Sequence, residues 1–566
     1  MEDKSGINIR LLFIGLWGLM LVLYLPAARA GFVSDFTGWL DQLRNHSFAE
    51  YVNRTNFTVV SLYQVTQVIT WLFYQVFGTN PWLWHLLFIT LHVVNTCLLA
   101  GIVDRMLRDA GTFNRKTGVY IGAVLFCITP SLSEVVIWEP SFHYLSGLLM
   151  ILLILTWVQQ YYHTSARRYI LFAAVVYLLS THTLEVFYIT PWLVLSLALF
   201  YRLQPVGDRA ATTRIIRWFF VVELVIFVLR LIEYRLFYGQ WVSRIGTDTA
   251  ASLSHTGLGK PAKYLFHLLF AGRYLPDAWH IGSLSVEHIK NSFYRFCDAP
   301  AGITAFYSLL ICVLSWHMLH FTRLPGYRRV MTLLALWTFA ALFLVAPMWF
   351  GDMFLIIYDR YAYFAAGFLF MLLGIYMAGI SLKGARIALL AIVLLVNLRF
   401  AVQASRYWGK SSRIVEQLLK NVPQHSGKTI ILLNVPQTMH GAAMIGASAQ
   451  HEFLLMHDLL LPAQKLNTKV YDALGYNMAT PDDGAHVTVL NDSMVRVTLN
   501  QWGTWWWYEG LGGRSYENTD YRLNLTDPGH QYELTVKGPA NRYLLLYQVG
   551  ENWKVVDMGL TNQEQH

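Results

Sequence analysis

Charge is scarce in this 566-residue chain: only 14% of its residues are Asp, Glu, Lys or Arg, against roughly 25% in a soluble domain. With 55% hydrophobic residues and a mean hydropathy of +0.39, an ordinary soluble enzyme is excluded and much of the chain must face lipid. Cysteine is nearly absent. Of the four, Cys97, Cys127 and Cys312 fall inside apolar runs and only Cys297 reads as exposed, so no internal disulfide framework is available outside a membrane. No Walker loop, dinucleotide fingerprint, Cys-x-x-Cys pair or internal repeat occurs, which argues against soluble nucleotide chemistry. Acidic residues are outnumbered by basic ones, giving a net charge of +9. That excess sits in residues 1–404, whereas 405–566 are slightly acidic. No basic face for a nucleic acid emerges.

What is present is a series of long apolar runs. Eleven spans are expected near 11–30, 82–103, 118–135, 143–162, 169–181, 186–201, 216–236, 301–321, 329–350, 361–380 and 385–403, several of them shorter than the ~20 residues a crossing needs. Residues 169–201 also read as one broken helix. With a cytoplasmic N-terminus, the short inner segments are rich in Lys and Arg and the outer loops up to residue 360 are not. This charge asymmetry with an odd span count predicts an extracytoplasmic C-terminal domain. Ala28-Arg29-Ala30-Gly31 looks like a cleavage site, but the run before it is long, so an uncleaved anchor is expected.

The expected organisation is a transmembrane domain over 1–404, with large outer loops at 31–80 and 237–300, and an extracytoplasmic β-rich domain over 410–566. Both loops mix Trp, Tyr and Phe with polar residues, as interfacial helices do. In the C-terminal part, Thr429–Val435, His486–Leu490, Met494–Leu499, Gln531–Val536, Tyr543–Val549 and Trp553–Met558 read as strands separated by turns. Sequons at Asn45, Asn53, Asn56, Asn491 and Asn524 all fall on the expected outer side. Thr561–His566 carries no retention address, which directs the expectation to a bacterial inner membrane.

Ionisable residues held at a membrane are costly unless paired or hydrated, so those at outer span ends are the candidates for chemistry. Asp35, just after the first span, is placed to accept a proton from an incoming hydroxyl or amine, although spacing alone favours a solvated loop residue or helix N-cap. Glu134, Glu139 and His143 lie at the mouths of two facing spans. With His182 and Glu185 they are candidates for a polar pocket or a divalent-cation site, or are simply solvated carboxylates. Arg230 and Arg360 present guanidinium donors suited to a phosphate; pairing of Arg230 with Glu233 and snorkelling to head groups compete with that role. His85, His92 and Asn95 form a polar stripe better suited to bonding between helices. Trp505–Trp507 and Tyr508 suit sugar stacking, a β core or bilayer contact.

The layout resembles the GT-C membrane glycosyltransferases, the class of the protein O-mannosyltransferases, the aminoarabinose transferase acting on lipid A, and the transmembrane and tetratricopeptide-repeat mannosyltransferases. The resemblance covers about residues 10–404. Its carriers are Gly31-Phe-Val-Ser-Asp35, the stretch Trp84 to Asn95, and Asp359-Arg-Tyr-Ala-Tyr363, which looks like the Glu-Arg-Tyr-x-Tyr element of the mannosyltransferases. It implies an α-helical membrane fold and a sugar donor on polyprenyl phosphate. Asp35 would act on the acceptor, and Arg360 with Tyr361 would lie near the donor phosphate. Two departures stand out: many relatives have paired acidic residues where this chain has Ser34-Asp35-Phe36, and no repeat array follows the spans. The expected activity is transfer of a sugar to an unidentified protein, glycan or lipid acceptor on the outer side. A transporter or flippase of a lipid-linked or small anionic substrate is the alternative.

Overall fold

A computed structural model describes residues 6–28, 30–34, 36–53, 64–111, 115–183, 189–204, 209–238, 255–276, 279–320, 325–344, 346, 359–421, 427–445, 456–458, 468–478, 480–499, 504–506, 515–527 and 530–558. Its helices are α1 (Ile9–Ala28), α2 (Phe36–Asn45), α3 (Phe48–Asn53), α4 (Gln64–Phe77), α5 (Pro81–Asp109), α6 (Arg115–Ile128), α7 (Ser133–Ile137), α8 (Phe142–Thr164), α9 (Arg167–Ser180), α10 (Thr190–Arg202) and α11 (Arg209–Tyr238). Then follow α12 (His255–Phe270), α13 (Val286–Asp298), α14 (Pro300–Leu319), α15 (Gly326–Phe343), α16 (Tyr363–Ala378) and α17 (Lys383–Asn421).

Helices occur within every one of the expected spans, but among the described residues five are long and apolar enough to cross a bilayer, or seven if two bent pairs are each one span. The chain is a multi-pass membrane protein. Large apolar side chains stay exposed along α9, α10, α11, α14 and α17, among them Phe172, Trp192, Phe220, Phe227, Trp316 and Leu395. Such a surface is unstable in water and suits lipid.

The expected span 118–135 is broken at Pro130, where the chain bends by 58°, because proline has no amide hydrogen to continue the ladder. The next eleven residues refold as two buried 3-10 turns flanking α7, and this refolding brings Glu134 and Glu139 inside. Against α6 packs α16, with glycine at the crossing. A Cβ on Gly122 would lie 2.8 Å from Met371 Cα, and one on Gly374 would collide with the Gly118 carbonyl. The Gly118-x-x-x-Gly122 spacing thus lets two backbones touch where side chains would hold them apart.

Two compact units can be distinguished. One comprises Met1–Leu23, Phe48–Gly78 and Trp84–Val402; the other comprises Tyr24–Ser47, Thr79–Leu83 and Gln403–His566. In the second, an antiparallel sheet orders the strands Tyr516–Glu517, Tyr521–Asp527, Gln531–Val536, Met494–Leu499 and Ala485–Asn491. A four-stranded sheet pairs Tyr543–Val549 in parallel with Thr429–Leu432. The stretch read as one strand, Thr429–Val435, is two: Asn434 interrupts it, its amide exchanging hydrogen bonds with the Gln548 backbone at 2.9 and 2.8 Å. Gly31 and Ser34 are fixed in the same unit, Gly31 N donating to Ser412 Oγ at 2.7 Å and Ser34 N to the Met444 carbonyl at 2.8 Å.

Two cysteine expectations are reversed. Cys297 is buried on the inward face of amphipathic α13, against Gly259 of α12. Cys312 is exposed, on the outward apolar face of α14.

Candidate functional site

The refolded segment after Pro130 and the 3-10 turn Asp359–Ala362 that opens α16 carry a cluster of buried charge in the first unit. Arg360 N donates to Glu134 Oε2 at 2.9 Å, and the Arg360 guanidinium pairs with Oε1 of the same carboxylate. Carbon ζ of Arg360 lies 4.7 Å from the Trp138 ring centre and 5.0 Å from that of Tyr361, so the cation is held between two aromatic faces. Tyr361 in turn meets Tyr144 edge-on.

One residue before Arg360, Asp359 accepts from Arg273 Nη1 at 2.7 Å, with both side chains almost fully buried. Arg273 follows α12 in a short turn, and its Nε and Nη2 make no well-aligned hydrogen bond among the described residues, although the Tyr274 side chain is a looser hydrogen-bonding partner of the guanidinium. Burial opposes the Arg273 charge, but Asp359 and Glu134 outweigh it and keep the guanidinium charged. Burial pushes the Tyr274 phenol up to about 12.

Glu139 is 1% exposed and lies 3.7 Å from His85 Nε2; its Oε1 makes no hydrogen bond among the described residues. His143 follows it in the first turn of α8. One face of α12 adds Lys260, Lys263, Tyr264 and His267, all buried. Lys263 pairs with Asp298 at 2.7 Å. The His267 imidazole is pushed down to about 3, first by burial and then by Arg273, Lys290 and Lys263.

Of the residues expected from sequence, Glu134, Glu139, His143, Arg360 and Tyr361 thus lie on this refolded segment, the first turn of α8 and the turn before α16. Asp35 and Glu185 lie outside the described residues, as does the side chain of Arg230 on α11. The polar stripe divides: His92 Nδ1 and Asn95 Nδ2 both meet Tyr363 Oη, at 3.0 and 3.2 Å, joining α5 to α16, whereas His85 faces Glu139. Sequence reading gave Asp359 no role beyond the element that carries the resemblance, and missed Arg273 and the α12 face. The available signal was Lys260, Lys263, Tyr264 and His267 at helical spacing in an otherwise apolar segment. Among the described residues, no group of three or more His, Cys, Asp or Glu could hold a metal ion, and the Glu134 carboxylate is already committed to Arg360.

Several solved structures are similar to this chain. They include the archaeal oligosaccharyltransferase AglB from Archaeoglobus fulgidus in complex with an inhibitory peptide and a dolichol-phosphate, at 12% identity over 91% of this chain and 80% of that one, TM-score 0.40. The arabinofuranosyltransferase AftD from Mycobacteria matches at 13% identity over 78% of this chain and 32% of its own, TM-score 0.37. ArnT from Cupriavidus metallidurans bound to undecaprenyl phosphate matches at 12% identity over 83% of this chain and 92% of its own, TM-score 0.29. No family model and no curated protein matches. The likeness assigns no residue a role.

Proposed function

We propose that the chain is a membrane glycosyltransferase that moves a sugar from a polyprenyl-phosphate donor to an acceptor on the extracytoplasmic side, in a bacterial inner membrane with the N-terminus cytoplasmic. The observation that carries this reading is Arg273. A buried guanidinium is tolerable only when its charge and its donors are met, and here Asp359 meets the charge while Nε and Nη2 make no well-aligned hydrogen bond among the described residues. A phosphodiester anchored in the membrane by its chain, and the monoester left once the sugar departs, offer oxygens with the geometry such donors need.

In this mechanism Arg273 holds the donor phosphate and Arg360, clamped by Glu134 between Trp138 and Tyr361, adds positive charge beside it. An acceptor hydroxyl or amine attacks the anomeric carbon, the bond from that carbon to the phosphate oxygen breaks, and polyprenyl phosphate departs with the electron pair, stabilised by the guanidinium donors. The proton passes to the Asp35 carboxylate. Glu139 with His85, and His143, are proposed to bind the sugar or acceptor hydroxyls, as are Glu185 and Arg230. No step is routed through a cation. Purified protein in nanodiscs should release polyprenyl phosphate from a labelled polyprenyl-phosphate sugar, and Asp35→Asn should abolish release. A folded Asp35→Asn protein with full transfer would remove Asp35 from the proton-accepting role.

A further inference from the structure

At the far end of α16 from Asp359, roughly 24 Å along a 16-residue helix, a cavity of about 650 Å³ opens between α14, α15 and α16. Its walls are apolar, with Leu314, Met331, Ala335, Phe339, Leu372 and Ile375 among them. Its mouth is polar, with Tyr327, Arg328, Tyr376 and Ser381. The Arg328 Nε donates to Tyr327 Oη at 3.1 Å, which orients the guanidinium at the rim. Arg386 reaches the same rim, its Nη1 donating to the carbonyl of Ala378 at 3.3 Å.

We propose that this cavity is a binding site for an anionic glycerophospholipid of the surrounding leaflet, one acyl chain lying along α15 and α16 and the phosphate meeting Arg328 and Arg386. Charge decides the class of occupant. Residues 326–343 and 376–390, which flank the mouth, contain Arg328, Arg329, Lys383 and Arg386 and not one acidic residue, so a neutral or cationic head group gains nothing there while an anionic one is favoured by about 1 kcal/mol per basic residue near the surface. The size falls within the ~300–1,000 Å³ of sites that enclose small ligands. Wall and mouth differ as acyl chain and head group differ, the polar groups being confined to one end. The site does not depend on the sugar-transfer reading, because none of its residues belongs to the Arg273 cluster.

The test is native mass spectrometry of the full chain released from nanodiscs of phosphatidylglycerol mixed equally with phosphatidylcholine. Wild type should retain a phosphatidylglycerol molecule that Arg328→Gln loses by about tenfold in occupancy, the equivalent of one charge-assisted bond. Ala335→Trp, which fills the wall and leaves the rim charges intact, should lose it as well. Millimolar inorganic phosphate should not displace the lipid, since it lacks the acyl chain. Equal retention in wild type and both variants, equal retention of phosphatidylcholine, or displacement by inorganic phosphate alone would overturn the proposal. Should Ala335→Trp not fold, Arg328→Gln at the exposed rim still decides it.

Discussion

Replacing Arg273 by Met separates its structural role from its chemical one. Arg273 and Asp359 are 2.7 Å apart and no more than 2% exposed in their side chains. Their Coulomb attraction is about 6 kcal/mol at an effective dielectric of ~20, most of it offset by the cost of removing both ions from water. Removing one partner strands the other, so Arg273→Met and Asp359→Leu should each destabilise the protein by about 3–5 kcal/mol, whereas the double variant should recover most of that loss. Transfer should behave differently. If Nε and Nη2 of Arg273 meet the donor phosphate, the double variant should stay impaired on the order of a hundredfold, about 3 kcal/mol of transition-state stabilisation. Reversible unfolding in nanodiscs reads the first quantity and steady-state release of polyprenyl phosphate the second. A double variant that regains stability and also transfers sugar within about threefold of wild type would refute the reasoning and leave Arg273 a purely structural ion.

Three further outcomes follow from the geometry. Gly122→Leu, which drives a side chain into α16 where Cβ alone would sit 2.8 Å from Met371 Cα, should cost more than the ~1–3 kcal/mol of an ordinary overpacked core and lower the thermal midpoint. The folded chain keeps His267 neutral down to about pH 3, against 6.5 unfolded, so the unfolded state takes up the proton first as the solution is acidified. Stability from this site is therefore complete above pH 6.5 and falls by up to about 1.4 kcal/mol per unit toward pH 3; His267→Gln should remove that slope in pH-dependent unfolding. Asn434→Ala leaves the Gln548 amide hydrogen and carbonyl unmet in the interior, and should destabilise the C-terminal unit by about 2–4 kcal/mol, visible as faster amide exchange along Tyr543–Val549.

The helices were legible because lipid as solvent writes itself as long apolar runs, and the strands because alternation survives in segments such as Met494–Leu499, buried at every second residue. Tyr521–Asp527 alternates from Tyr521 to Asn524 but is not among the strands expected from sequence. The pairing of charges was not legible. Nothing local ties Arg273 to Asp359, 86 residues away, or Glu134 to Arg360, 226 residues away; the second pair exists because Pro130 breaks a helix and the chain after it refolds inside, and the first because the turn after α12 meets the turn that opens α16. The cationic face of α12 hid for another reason. A segment read as lying on the membrane invites its lysines to be taken as solvated, whereas Lys263 is buried against Asp298 and the Tyr294 ring.

The central claim is tested most directly by supplying purified protein in nanodiscs with a panel of labelled polyprenyl-phosphate sugars and acceptor extracts, and measuring release of polyprenyl phosphate by wild type, Asp35→Asn and Arg360→Ala. The account predicts release from at least one donor by wild type and its loss in both variants. Release from no donor by a protein shown to be folded, or undiminished release by both variants, would contradict it.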